Sequence, residues 1–297
     1  MKSPASRGLS VFCSMIVLMI IAILTVLGLI FGSFINALVW RLHEQDSIAD
    51  QKPTRQNLLY RRRLSILNGR SMCPHCGHEL AAKDLVPVFS WLVLRGKCRY
   101  CRKPIGWQYP LVELLTAVVF ILSYIWWPQP FVGQGIWDFI WWLAIGVILI
   151  ALAVYDARWF LLPDKLVFPL LLCGLIMLAG DVVIFNADVK VFFGAILASV
   201  LLSGLFYVLF AISNERWIGG GDVKLGLALG LLAESPLLAL LLLFIASLFG
   251  SLAGLPYLLR GKRNVRIPFG PFLIAATAIV VLFGSSILDL YRSFLLV

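Results

Sequence analysis

Residues 11–39 read VFCSMIVLMIIAILTVLGLIFGSFINALV, a run without a single charged side chain. A helix needs only about 20 apolar residues to cross a lipid bilayer. Basic residues precede the run, as in a secretory signal peptide, but the run is far longer than an apolar signal segment of about 7–15 residues, and it has no convincing small-residue cleavage site. We therefore expect this segment to remain in the protein as a membrane anchor.

The composition of the whole chain is also that of a membrane protein. Its 297 residues are 61% hydrophobic and 13% charged, whereas soluble domains are about 45–50% apolar and about 25% charged. Apolar segments of this length select helices rather than barrel strands. The sequence predicts an all-α polytopic membrane protein with about eight transmembrane helices. These lie near residues 11–39, 110–127, 137–155, 165–184, 190–212, 222–234, 236–259 and 270–290.

The basic residues orient these spans. Thirteen of the 25 Lys and Arg residues lie between Arg41 and Lys103, in the one long polar segment. If that segment is cytoplasmic, alternation of the spans places 21 of the 25 inside, in agreement with the positive-inside rule. The four left outside are Lys2, Arg7, Lys190 and Arg292. The net charge of +10 then reflects topology and attraction to anionic membrane lipids, so we expect no nucleic-acid partner.

The polar segment carries two cysteine pairs, CPHC with Cys73 and Cys76, and CRYC with Cys98 and Cys101. Two C-x2-C pairs at this separation are typical of a tetrathiolate metal site. A cytoplasmic position argues against the alternative of disulfides. Four sulfurs leave no open coordination position, so we expect a structural zinc that folds the segment. We interpret the nearby residues His75 and His78 as bystanders.

Three carboxylates fall on one predicted membrane face. Asp156 ends the third span, Asp164 directly precedes the fourth, and the run IGGGDVKL, residues 218–225, carries Asp222 to the start of the sixth. The axes of packed helices are about 8–10 Å apart. Asp156 and Asp222 could therefore approach a single water molecule from two helices.

Such a pair is suited to aspartic-type hydrolysis. Repulsion between close carboxyl groups leaves one proton shared, so one group acts as a base toward water and the other as an acid toward the scissile carbonyl. The glycines beside Asp222 would let an extended substrate backbone lie against the site. Lys224 would raise the local positive potential or, in the interpretation we favour, extend its amine to lipid head groups.

Each of these carboxylates also has a purely structural interpretation. Asp222 can N-cap its helix, Asp156 can pair with Arg158, and Asp164 can mark a helix start. The sequence argues against a Ser-His-Asp protease and against an HExxH metalloprotease, because no histidine follows His78.

Several blocks of the chain, in the right order, resemble the bifunctional type IV prepilin peptidases, which are membrane aspartic proteases of the GxGD type. The blocks are GSFINALVWRL (32–42), SMCPHCGHEL (71–80), VPVFSWLVLRGKCRYC (86–101), YPLVELLTA (109–117), YDARWFLLPDKLVFPL (155–170) and GGGDVKLGLALG (219–230). The resemblance covers nearly the whole chain. Departures from the family pattern are small, and they include Arg102 in place of a common Gly after the last cysteine.

The resemblance implies that Asp156 and Asp222 are the catalytic pair, with Gly219 and Gly221 as the GxGD glycines. We expect these glycines, together with Asp164 and Lys224, to lie where the substrate approaches or directly behind the catalytic pair. It implies a prepilin or pseudopilin substrate of a type IV pilus or type II secretion system, cut in the bacterial inner membrane at its cytoplasmic face. It also implies N-methylation of the new N-terminus by S-adenosylmethionine. The domains expected are a first transmembrane helix at 1–40, a zinc-binding, methyltransferase-associated domain at 41–109 and a peptidase domain at 110–297.

Two alternatives stay open at this stage. One is a peptidase without methyltransferase activity. The other, from a different class, is a membrane transporter or assembly subunit with a zinc docking loop, whose ionisable groups would be expected near the middle of the bilayer. The positions of Asp156 and Asp222 at span ends favour the peptidase.

Overall fold

Residues 4–49, 54, 60, 63–66, 69–262 and 265–295 are described by a computed structural model, with side chains from Ser14 onward. The helices are α1 Pro4–Ala49, α2 Phe89–Val93, α3 Gln108–Ile125, α4 Gln134–Trp159, α5 Asp164–Phe185, α6 Val189–Ser213, α7 Gly220–Ala233, α8 Pro236–Leu259 and α9 Gly270–Leu295. Within the described residues there is no β-strand, only two isolated bridges. The prediction of an all-α chain is confirmed.

The chain divides into two compact units, Met1–Ile125 and Trp126–Val297, called unit 1 and unit 2 below. Some of the basic residues used to orient the chain lie outside the described part. They are Lys2, Lys52, Arg55, Arg61, Arg62 and Arg263, together with the side chain of Arg7.

The number of membrane-spanning helices differs from the prediction. Among the described residues, seven helices are long and apolar enough to cross a membrane, whereas about eight were expected. The exception is the sixth expected span, which corresponds to α7. With 14 residues, α7 is about 21 Å long at 1.5 Å per residue, well short of the ~30 Å hydrocarbon core.

The short helix α7 nevertheless returns the chain along α6. Gly220, at its start, faces Phe210 near the end of α6, while the carbonyl of Glu234, just past its end, faces Gly194 near the start of α6. Most of its side chains from Leu225 to Ala233 are buried. Because protein rather than lipid surrounds it, α7 does not need the full length of a lipid-exposed span.

Glycines at four-residue spacing, Gly28 with Gly32 and Gly226 with Gly230, are typical of membrane helices that pack closely. In unit 2, a Cβ on Gly230 would collide with the backbone of Ser199 in α6, and one on Gly226 would come within 2.8 Å of Phe206. In unit 1, Gly32 of α1 lies against the backbone of Glu113 in α3 in the same way. These contacts fix which faces of the helices meet.

In unit 1, the first helix continues beyond its expected end. The apolar run was predicted to stop near residue 39, but α1 extends to Ala49. Arg41, which is only 6% exposed, donates hydrogen bonds to the carbonyls of Ser65, Ile66 and Gly69. This arginine therefore ties the polar segment back onto the helix.

Candidate active site

Asp156 lies in the last turn of α4 and is 6% exposed. Its Oδ2 atom accepts a hydrogen bond of 3.0 Å from the N–H of Gly270, the first residue of α9. The first N–H groups of a helix have no partner within the helix, and they carry its positive dipole end. The start of α9 therefore both orients and stabilises a carboxylate at this position.

Asp222 is the third residue of α7. The N-cap is Gly219, and the Asp222 Oδ2 atom accepts the Gly219 N–H at 3.2 Å. Asp222 is therefore not the N-cap residue that one interpretation of the sequence expected, although it does bind backbone of the first turn. This bond uses one carboxylate oxygen and fixes the side chain at the mouth of the helix.

The two carboxylates lie at the same end of unit 2. The start of α7 packs against the loop that follows α4, where a Cβ on Gly221 would lie 3.0 Å from Leu162. Each side chain is held by one backbone N–H at the start of a helix. Two carboxyl groups in this arrangement can bind a water molecule and exchange a proton with it.

Asp164 and Lys224 form an ion pair beside the two carboxylates. The Lys224 Nζ atom lies 2.7 Å and 2.9 Å from the two Asp164 carboxylate oxygens. The interpretation of Lys224 as a lysine extended to lipid head groups is therefore wrong, because its amine is engaged by α5. Both side chains are about half exposed, so the pair contributes at most about 1 kcal/mol, and its main effect is to align α5 with α7.

The GxGD glycines, Gly219 and Gly221, contact other residues of the same chain. Gly219 donates its N–H to Asp222, and Gly221 lies against Leu162. Arg158 does not provide the expected pairing with Asp156, since its guanidinium lies 4.7 Å above the ring of Trp159. Asp156 instead takes its hydrogen bond from α9.

Gly270 is the contributor to this site that sequence reasoning missed. It follows Phe269 and precedes Pro271 at the start of the last apolar run, and Gly-Pro at a helix start was the available signal. Nothing in its spacing connects it to Asp156, which lies 114 residues earlier. Only the packing of α9 beside α4 brings the two together.

We expect Gly270→Ala to reduce catalysis at this site about 100-fold while the protein still folds. The added Cβ would lie 2.6 Å from Asp156 Oδ2, so the carboxylate must shift, and a displacement of about 1 Å can cost about 100-fold in rate. The measurement is the steady-state cleavage rate of the purified variant. Gly146→Ala in α4 is the matched control, because a Cβ there meets no atom within 4 Å; equal rates for the two variants would contradict the prediction.

The four cysteines of the polar segment come together as predicted. Their sulfur atoms all lie within 4.8 Å of one another, and those of Cys73 and Cys101 are 3.9 Å apart. In a zinc tetrathiolate with Zn–S bonds of about 2.3 Å, neighbouring sulfurs are about 3.8 Å apart. The donor set and its spacing therefore fit a tetrahedral metal ion.

Two turns of the same form present these sulfurs. In each turn, the first cysteine donates its N–H to a carbonyl five residues later and accepts an N–H from four residues later. The residues are Cys73 with His78 and Gly77, and Cys98 with Lys103 and Arg102. Arg102, which replaces the family's common Gly, has a left-handed φ of 58°, as Gly77 does with 68°. The tight turn thus accepts a non-Gly residue at some conformational cost.

The charges of the cysteine cluster also favour a cation. Burial raises the pKa of the Cys73 thiol to about 12. Burial acts in the same direction on Cys98, but backbone N–H groups of Tyr100 and Cys101 outweigh it and lower the pKa of Cys98 to about 7. A bound cation would offset the cost of burying a thiolate at Cys73. His78 stacks on Tyr100, with ring centroids 3.7 Å apart, and lies outside the cluster, as expected.

Comparison with known proteins agrees with this architecture. The model of the bacterial peptidase A24 N-terminal domain matches residues 26–127, and that of the type IV leader peptidase family matches residues 143–255, which contain both Asp156 and Asp222. No solved structure matches the chain.

Among curated proteins, the chain is similar to several that carry the name prepilin leader peptidase/N-methyltransferase, and three of them are described here. That of Aeromonas hydrophila is 34% identical, over 89% of this chain and 91% of the relative. That of Pseudomonas aeruginosa is 34% identical, over 90% and 92%, and that of Burkholderia pseudomallei is 34% identical, over 95% and 92%. The fold and the paired carboxylates have the form of a membrane-embedded aspartic peptidase. The chain belongs to the type IV leader peptidase family.

Proposed function

We propose that this protein removes the basic leader peptide from type IV prepilins or pseudopilins and then methylates the new N-terminal amine. The observation that carries the peptidase is the convergence of Asp156 and Asp222 at one end of unit 2, each held by a helix-start N–H. The names of the relatives, prepilin leader peptidase/N-methyltransferase, supply the substrate class and the second activity.

In the proposed mechanism, the two carboxyl groups share one proton and hold a water molecule between them. The ionised group takes a proton from the water as the water oxygen attacks the scissile carbonyl, and the protonated group donates its proton to the carbonyl oxygen. Collapse of the tetrahedral intermediate returns a proton to the leaving amine. The N–H of Gly270 keeps Asp156 in place during these transfers.

The charge distribution supports a cytoplasmic position for this chemistry. Arg158 and Lys165 flank the loop between α4 and α5, and Arg216 and Lys224 flank the start of α7. The long polar segment is equally basic, and basic loops remain in the cytoplasm. We therefore place the carboxylate pair and the cysteine cluster at the cytoplasmic face of a bacterial inner membrane.

The substrate suits such a site. A prepilin has a short basic leader, a Gly before the cut and an apolar helix after it, so its scissile bond lies where the chain enters the lipid. Asp156, in the last turn of α4, and Asp222, in the first turn of α7, lie at the same end of unit 2. Unit 2, Trp126–Val297, would carry the peptidase, and unit 1, Met1–Ile125, which contains the polar segment, would serve the second activity.

Two non-protein components complete the proposal. Zinc held by Cys73, Cys76, Cys98 and Cys101 would stabilise the polar segment without taking part in chemistry, since four sulfurs fill its coordination shell. S-adenosylmethionine would supply the methyl group. The buried carboxylate of Glu113 in unit 1 suits a cationic ligand of this reaction, because its partners are the uncharged Val88 N–H and Ser33 hydroxyl.

The test is an assay of the purified full-length protein with a synthetic prepilin peptide that carries a basic leader, Gly, Phe and an apolar segment. We expect cleavage after Gly and, when S-adenosylmethionine is added, one methyl group on the new N-terminal Phe, both read by mass spectrometry. An intact peptide would overturn the proposed peptidase. Cleavage without methyl transfer would leave the peptidase and refute the second activity.

A further inference from the structure

Asn36 and Glu113 are among the buried polar side chains of unit 1 that neither the peptidase pair nor the cysteine cluster uses. Asn36 in α1 is 4% exposed, and Glu113 in α3 is 7% exposed. Each would be costly to bury between apolar membrane helices without a partner. Both lie in blocks of sequence, GSFINALVWRL and YPLVELLTA, that the peptidase chemistry leaves without a role.

The two side chains face the same seam between α1 and α3. The Asn36 Nδ2 atom donates to the carbonyl of Tyr109 at 3.0 Å, and Ser33 of α1 bonds the Glu113 carboxylate. Because 109 and 113 are four residues apart, as are 32 and 36, each pair lies on one helix face. Asn36 and Glu113 are thus about one helical turn, roughly 5 Å, apart along the seam. The close approach of Gly32 to Glu113 holds the two helices in this register.

One acceptor atom in the seam has no hydrogen-bond donor. The Oδ1 atom of Asn36 is buried and has no hydrogen-bond partner among the described residues. The Glu113 carboxylate has two uncharged donors, the Val88 N–H at 2.6 Å and the Ser33 hydroxyl. A carboxylate and an amide oxygen both accept hydrogen bonds, and an ionised carboxylate also attracts a cation. A compact cation with several N–H donors would satisfy both groups.

The geometry points to a primary-ammonium site formed by Asn36 and Glu113, which binds the new N-terminal amine of the cleaved substrate for methylation. This inference rests on the proposed function, because cleavage is what produces such an amine. The amine of a processed pilin is a primary ammonium at the start of an apolar helix. It is therefore expected to lie at the boundary of the bilayer, where the apolar helix begins. Asn36 and Glu113 lie in helices that are long and apolar enough to cross a membrane.

Glu113 also has the chemistry that methyl transfer requires. An ammonium group has no lone pair, so Glu113 first takes one of its protons and leaves a neutral amine bound to the Asn36 oxygen. The nitrogen lone pair then forms a bond to the methyl carbon of S-adenosylmethionine, while the carbon–sulfur bond breaks and its electron pair stays on sulfur. The product is a secondary ammonium, and the proton on Glu113 returns to water.

The first experiment measures binding to full-length protein in detergent without S-adenosylmethionine. The probes are a processed-pilin peptide with a free N-terminal Phe and the same peptide N-acetylated, which has neither the charge nor the three donors. We expect the wild-type protein to prefer the free amine by about 10- to 100-fold, as for hydrogen bonds to a charged group. Glu113→Gln should reduce this preference to within about twofold, whereas the control Glu79→Gln, whose partner is the exposed Arg70, should keep it.

The second experiment compares methylation of the free peptide with cleavage of the precursor in the same preparations. In Glu113→Gln we expect methylation to fall about 100-fold or more, the loss of a general base, with cleavage within about twofold of wild type. If Glu113→Gln cannot be purified in a folded state, the same comparisons are made with Asn36→Leu. Failure of the wild-type protein to cleave would count against the proposed function and leave the amine preference to be judged separately.

Three results would overturn the inference. One is an equal affinity of wild-type protein for the free and acetylated peptides, as expected if only a buried water completes the seam. Another is full methylation by Glu113→Gln. The third is a weakening confined to the binding of S-adenosylmethionine alone, which would assign the seam to the amino group of the methyl donor.

Discussion

We expect Asp156→Asn and Asp222→Asn each to abolish leader cleavage, while the protein still folds in the membrane. Asparagine keeps the size of the side chain and can still accept the Gly270 or Gly219 N–H through its amide oxygen. It cannot ionise, so neither the base toward water nor the acid toward the carbonyl remains. Loss of one general acid or base costs about 10²–10⁴-fold, and because the two groups share one proton, we expect at least about 10³-fold for either variant.

The measurement is the fraction of prepilin processed on co-expression, followed by single-turnover rates with purified protein. Asp188→Asn is the matched control. Asp188 accepts the Lys190 N–H as the N-cap of α6, and asparagine caps equally well, so this variant should cleave at the wild-type rate. Cleavage within tenfold of wild type by either Asp156→Asn or Asp222→Asn would exclude the carboxylate pair as the catalytic centre.

We expect Cys98→Ser to prevent metal binding by the cysteine cluster and to unfold the polar segment of unit 1. A serine hydroxyl is not deprotonated at neutral pH and is a poor zinc ligand, and the binding of structural zinc to four thiolates is worth about 10–16 kcal/mol. That energy exceeds or equals the stability of most domains, about 5–15 kcal/mol. Apart from the cluster, few of the described residues in this segment are buried and apolar, so little else would keep it folded.

We expect about one zinc ion per chain in wild-type protein and less than a tenth of that in Cys98→Ser, by elemental analysis. Limited proteolysis should then cut the variant rapidly within residues 69–106, as it should the wild-type protein treated with a chelator. Cys173→Ser is the control, because Cys173 lies in α5, far along the chain from the cluster. A variant that kept both its metal and its protease resistance would contradict a structural tetrathiolate site.

The sequence alone was sufficient for the features that depend on local pattern. The length and hydropathy of the apolar runs specify membrane helices, because lipid leaves backbone groups no partner outside the helix. Two C-x2-C pairs bring sulfurs together within short turns, so the cluster of Cys73, Cys76, Cys98 and Cys101 was predictable from spacing. Alternation of spans was enough to assign Asp156 and Asp222 to one end of the bundle.

The features that the sequence did not reveal depend on contacts between distant segments. The 14 residues of α7 look too short for a span, and only burial against α6 explains how they return the chain. Lys224 looks like a membrane-edge lysine until α5 places Asp164 within 2.9 Å of it.

Asp156 shows the same division most clearly. Its type and position at a helix end are local, and they were sufficient to suggest its role, but its hydrogen-bond donor comes from Gly270, 114 residues away. Likewise, the seam of Asn36 and Glu113 exists only because Gly32 lets α1 and α3 touch. Hydropathy and spacing in the sequence indicate which helices and turns form. The partners of a buried polar group depend instead on which helix faces pack together, and only the tertiary structure decides this packing.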